Sequence, residues 1–140
     1  MFSQDYIMRQ IQQFIQVLNT ILTQVIKIKQ ERDNSEVFAY TNQMLKDEFG
    51  FNLEELSILL ENDGVNYLKK NTGFTNEHLN ILADILYELG DAGFESPEHH
   101  ETSLSQLAQS LKLFEYIESD DRIYSIDRNL KMTKIKDYLS

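Results

Sequence analysis

The chain has 140 residues, 13 basic and 23 acidic, for a formal charge of −10, with no cysteine, no tryptophan, one proline and five glycines. This length suits one domain, 1–140, with a core of its own. The lack of cysteine excludes thiolate nucleophiles, Cys-ligated metals and disulfides, and the acidity argues against a nucleic-acid partner, since phosphate contact depends on Lys and Arg displacing counterions.

The first predicted helix carries the strongest pattern. Ile7, Ile11, Phe14, Leu18, Ile21, Val25 and Ile28 recur at alternating spacings of four and three, an a/d seam. Met8, Ile15, Leu22 and Ile26 widen the apolar face on one side and Val17 on the other, so the helix should touch more than one neighbour. A homodimer through Ile7, Ile11, Phe14, Leu18, Ile21 and Val25 is one expectation, and cover by the chain's own later helices is the other.

Asp33 and Glu36 have capping-box spacing, and a second helix runs through Val37, Phe38, Thr41, Met44, Leu45 and Phe49 to Gly50. Residues 1–50 then read as an antiparallel helical hairpin. Asn52 with Glu55 starts a short helix through Leu56, Leu59 and Leu60, and Asp63 starts another that holds Val65, Tyr67 and Leu68 and ends at Gly73. Beyond Thr75, Leu79, Leu82, Ala83, Leu86 and Leu89 form one stripe and Ile81 and Ile85 a second edge, so this helix should be covered on two sides. Leu104, Leu107, Ala108, Leu111, Phe114 and Ile117 make the next helix, and Ser125 caps a last one through Leu130, Met132, Ile135 and Leu139. The glycines and Pro97 are read as boundaries, and no apolar/polar alternation of a strand is present. The expected fold is all-α: a compact bundle of about seven helices, two of them short.

No uncharged apolar run approaches the roughly 18 residues of a membrane span, and the opening Met1-Phe2-Ser3-Gln4-Asp5 lacks a basic leader, so a cytoplasmic protein with no membrane contact is expected. Charge is uneven along the chain. Residues 1–50 hold 5 basic and 6 acidic groups, 51–121 hold 3 and 15, and 122–140 hold 5 and 2. The basic last helix is therefore expected to dock on the acidic middle, with apolar residues supplying most of the energy because surface ion pairs contribute only about 0.2–1 kcal/mol each.

Asp5-Tyr6-Ile7-Met8-Arg9-Gln10-Ile11, Leu86-Tyr87-Glu88-Leu89-Gly90, Leu113-Phe114-Glu115-Tyr116-Ile117-Glu118 and Tyr124-Ser125-Ile126-Asp127-Arg128 together resemble a bacterial family described as a domain of unknown function. The resemblance spans essentially the whole chain and implies a cytoplasmic helical protein without a particular activity. Within 51–140, the pair of helices around 77–118 also resembles a tetratricopeptide hairpin. Leu82, Ala83, Leu86 and Gly90 stand at the packing positions of that motif's first helix, and Ser110, Phe114 and Ile117 at those of its second. The connection through Phe94, Pro97 and Glu101 is about a dozen residues longer than a 34-residue repeat permits.

Chemistry is sparse. His99 and His100 sit among Glu95, Glu98 and Glu101, but adjacent histidines point to different sides of a helix, and the HExxH that His100-Glu101 begins has Leu104 in its fifth position. Asp63-Gly64 resembles a calcium-loop turn, yet Leu59 and Lys70 stand where ligands belong. No nucleophile motif or phosphate-binding glycine loop is present. The expectation is a protein-interaction or scaffolding module that is not an enzyme and has no cofactor, the alternative being a metal-binding protein or hydrolase built on His99 and His100. The candidate partner surface is Glu77, Asn80, Asp84 and Tyr87, with Glu88 and Asp91 beside them, on one polar face. It suits a basic peptide, or the chain's own basic tail.

Overall fold

The helical periodicity is realised in a computed structural model that describes residues 2–31 and 34–140. The helices are α1 (Phe2–Gln30), α2 (Asn34–Phe49), α3 (Leu53–Glu61), α4 (Gly64–Asn71), α5 (Asn76–Gly93), α6 (His100–Asp121) and α7 (Ile126–Leu139). The described residues contain no strand. Caps form where short polar residues precede apolar runs. Asn52 Oδ1 accepts from the Glu55 amide at 2.8 Å while Glu55 Oε1 accepts from the Asn52 amide at 3.2 Å, and Ser125 Oγ accepts from the Arg128 amide at 3.2 Å. The Asp33–Glu36 box lies outside the described residues because Asp33 does. Asp63 precedes α4 in a left-handed conformation, φ 64°, and its carboxylate accepts from the Asn66 side chain rather than from a helix amide.

α5 is the axis of the bundle. Every residue from Ile81 to Tyr87 is buried, a fuller cover than the two-sided one its stripes suggest. α6 runs antiparallel to it: Asn76 Nδ2 donates to Asp120 and Asp121 at 2.7 Å near one end, and Ser103 packs on Gly93 at the other. α1 runs parallel to α5, joined by the Ile11 carbonyl and His78 Nε2 at 2.9 Å near the start and by Lys29 and Glu88 at 2.9 Å near the end. α7 follows the same direction, Arg128 meeting Asn80, Lys131 meeting Asp84 and Lys134 meeting Asp91. α2 returns antiparallel along α1, Phe14 and Phe49 lying 5.0 Å apart edge-on. The short α3 and α4 lean on α6: Lys112 Nζ donates to the Leu60 carbonyl at 2.8 Å, and Lys69 sits 4.8 Å over the Tyr116 ring.

One glycine departs from its expected role as a boundary, and another does more than mark one. Gly90 lies inside α5 and Gly93 ends it. A Cβ on Gly90 would fall 2.4 Å from Leu107 Cγ, and one on Gly93 would fall 2.2 Å from Ser103 Oγ. With Ala83, whose carbonyl accepts from Ser110 Oγ at 2.7 Å, they form a small-residue seam that lets α5 and α6 approach closely. Gly50 and Gly73 do mark turns, at φ 83° and 75°. The extra length of the α5–α6 hairpin is carried in its helices, of 18 and 22 residues, and the loop between them is Phe94 to His99 alone.

Candidate functional site

The polar face of α5 is covered in the structure. Asp84 and Tyr87 are 8% and 7% exposed. Lys131 Nζ donates to Asp84 Oδ1 at 2.8 Å and to Asp127 Oδ2 at 3.0 Å, and Arg128 Nη1 donates to Asn80 Oδ1 at 3.4 Å. Lys29 reaches from α1 to Glu88 at 2.9 Å and to Asp91, which also accepts from the Tyr138 hydroxyl. Lys131 and Lys134 lie 5.7 and 5.8 Å from the centre of the Tyr87 ring. Of the expected groove residues only Glu77 stays exposed. Where an open groove for a basic peptide was one expectation, α7 and Lys29 supply the basic groups and fill it.

Burial raises the Asp84 carboxyl above its ordinary range despite Lys131. At Asp91 burial acts the same way, but hydrogen bonds from Lys29 and Tyr138 outweigh it and hold the carboxyl below 3.8. Lys29 and Lys131 are partly desolvated, which favours the neutral amine, yet their carboxylate partners raise both.

The expected self-association residues divide into two sets. Leu18, Ile21 and Val25 are fully buried in the core, and Phe14 is half-buried against Phe49, Phe74 and His78. Ile11 is half-buried, whereas Tyr6, Ile7 and Met8 are 66%, 52% and 52% exposed. The start of α1, the end of α6 and the start of α7 lie at the same end of α5, so Ile123, Tyr124, Ile126 and Leu130, all exposed, are gathered at that end as well.

His99 and His100 part company, as neighbours on a helical turn must. The His99 ring packs 4.6 Å from Phe38, and His100 Nδ1 lies 2.7 Å from the Phe94 carbonyl. Among the described residues no group of three His, Asp or Glu side chains is placed to hold a metal ion, and no helix is long and apolar enough to cross a membrane.

One feature has no signal in the sequence. α2, α3 and α6 enclose a cleft of about 550 Å³ whose lining includes Phe38, Leu53, Ile58, His99 and Gln106, with Glu54 and Glu101 also in its wall. Its residues come from three separate segments, and nothing in their local pattern links them.

Fold and surface together define a helical-bundle protein with a largely self-filled polar face, exposed apolar residues at one end and a lateral cleft between α2, α3 and α6. Compared with known proteins, the chain matches no family model, no curated protein and no solved structure.

Proposed function

We propose that the chain is a protein-interaction module of tetratricopeptide-like design, and that the partner at its apolar end is a second copy. The observation that carries this reading is the break along one helical stripe: Ile7 is half exposed while Leu18, Ile21 and Val25, on the same seam of α1, are fully buried. Contiguous apolar patches are uncommon on soluble monomers and mark contact sites. Tyr6, Ile7 and Met8 are exposed together on the first turns of α1, at the bundle end that also bears exposed Ile123, Tyr124 and Ile126. A basic peptide is a poorer occupant, because Glu88, Asp91 and Asp84 already meet Lys29, Lys131 and Lys134.

The parallel course of α1, α5 and α7 supports the tetratricopeptide-like part of the reading. α1–α2 and α5–α6 then act as successive hairpins, α7 as a cap, and α3–α4 as an insertion between them. Sedimentation equilibrium tests the association. The wild type is expected to dimerise at micromolar concentration, and Ile7→Lys with Met8→Lys to be monomeric with an unchanged melting temperature. A monomeric wild type would refute it.

A further inference from the structure

The cleft between α3 and α6 is long as well as open. Gln109 Nε2 donates to Ser57 Oγ at 2.6 Å and, three residues on along both helices, Lys112 Nζ donates to the Leu60 carbonyl at 2.8 Å, so the two helices run side by side in the same direction. The 550 Å³ cleft shares Ser105 and Gln109 with a smaller depression of about 200 Å³ that Leu60, Ala108 and Lys112 line. Together they follow α6 from Glu101 to Lys112, about 16 Å at 1.5 Å per residue, or about three helical turns. Several polar groups between the helices are already satisfied: Gln109 Nε2 also donates to Ser105 Oγ at 3.1 Å, and Asn42 Oδ1 accepts from the Leu53 amide at 2.9 Å. What the cleft offers outward is different. Ile58 is 56% exposed, and Glu54 and Glu101 are exposed beside it. Both glutamates stand in the first turn of a helix, where the dipole favours the charged carboxylate, and the ion pairs of the described residues leave both without a basic partner.

We propose that this cleft docks an amphipathic helix of a partner protein whose apolar stripe is flanked by Lys or Arg. A groove of about three turns matches the footprint of a helix laid along it, with side chains at every third or fourth position as anchors. Ile58 meets the apolar stripe, and Glu54 and Glu101 meet the flanking cations. The charge pattern selects this occupant. On α5 the carboxylates of Asp84, Glu88 and Asp91 are met by the chain's own Lys131, Lys29 and Lys134, so those cations are spent on another face and the cleft keeps uncompensated acid. A second copy suits it poorly, because the chain carries a net charge of −10 and the lysines of its basic last helix are engaged. The surface is also separate from the apolar end. Glu101 stands at the start of α6, whereas Ile123, Tyr124 and Ile126 gather where α6 ends.

The experiment titrates the full chain with a synthetic Leu/Lys amphipathic helix of about four turns, followed by backbone amide signals in ¹⁵N–¹H spectra. Saturable shifts are expected at Glu54, Ser57, Ile58, Glu101 and Ser105, and a Leu/Glu helix of the same pattern should produce none. Glu54→Lys with Glu101→Lys should weaken binding about tenfold or more. Ile58→Ser, at an exposed position, should weaken it about tenfold through lost apolar contact alone. A matched pair, Glu77→Lys with Glu115→Lys, changes the net charge equally on exposed sites outside the cleft and should leave binding within about twofold. Shifts spread over the acidic surface, or equal loss in the two charge-reversed proteins, would show attraction to net charge only and overturn the proposal. Undiminished binding in Ile58→Ser, or equal binding of the Leu/Glu helix, would overturn it as well.

Discussion

Lys131 Nζ stands 2.8 Å from Asp84 Oδ1, and this contact between α7 and α5 places a basic side chain where a partner's would otherwise enter. Both side chains are largely shielded, 21% and 12% exposed, so the pair behaves more like an internal than a surface one. Breaking a buried pair costs more than the pair contributes, because one charge is left without compensation. Asp84→Lys should therefore destabilise the fold by about 2–4 kcal/mol, whereas Glu77→Lys, on the exposed part of the same helix, should change stability by less than about 0.5 kcal/mol. Thermal melts of the two single variants separate the covered part of the face from the open part.

Asp91 should make the fold acid-sensitive, and the sign follows from its depressed carboxyl. The native state binds fewer protons there than the unfolded chain, so the stabilisation is fully present above the ordinary value of 3.8 and is lost as pH falls through the native value. Asp91→Asn should thus be less stable than wild type at neutral pH, with the gap closing below pH 3.8. Denaturant melts of both proteins across that range measure it. Asp84, shifted the other way by burial, acts in the opposite sense as its carboxyl protonates above its ordinary 3.8.

His78 is fully buried with both ring nitrogens engaged: the Thr75 amide donates to Nδ1 at 2.9 Å, which leaves Nε2–H to donate to the Ile11 carbonyl at 2.9 Å. This arrangement holds the neutral ring, and burial lowers its proton affinity below the ordinary 6.5. The folded state therefore binds fewer protons than the unfolded one, so the stabilisation is complete above pH 6.5 and declines as pH falls below it. His78→Gln should lower stability at pH 7.5 and flatten the slope between pH 6.5 and 5, read by chemical denaturation at each pH.

Gly90→Ala tests the α5–α6 seam. Alanine favours a helix interior over glycine by about 1 kcal/mol, so the substitution would stabilise an uncrowded helix. Here the new methyl would lie 2.4 Å from Leu107 Cγ and 3.1 Å from the Ser103 carbonyl, and the helices must separate. Overpacking of this kind typically costs about 1–3 kcal/mol, which cancels the helix gain or exceeds it by up to about 2 kcal/mol, so no stabilisation is expected in calorimetry.

The sequence by itself determined the helical class, the seven helices and their order, because apolar spacing of three and four residues is a local property of one helix face. It also determined the Asn52–Glu55 and Ser125 caps, where donor and acceptor lie within one turn. Tertiary structure alone decided three things. The charge pattern already pointed to the basic last helix as one cover for the acidic face of α5, but only the fold brings Lys29 in from α1 and sets Lys131 on Asp84 and Lys134 on Asp91. Gly90 serves close packing rather than a turn because only the approach of Leu107 removes the room for a side chain. The cleft lined by Phe38, Leu53 and Gln106 exists because α2, α3 and α6 meet there. Each of these depends on which segments meet across the core, and periodicity, which describes one segment at a time, carries no information about the meeting.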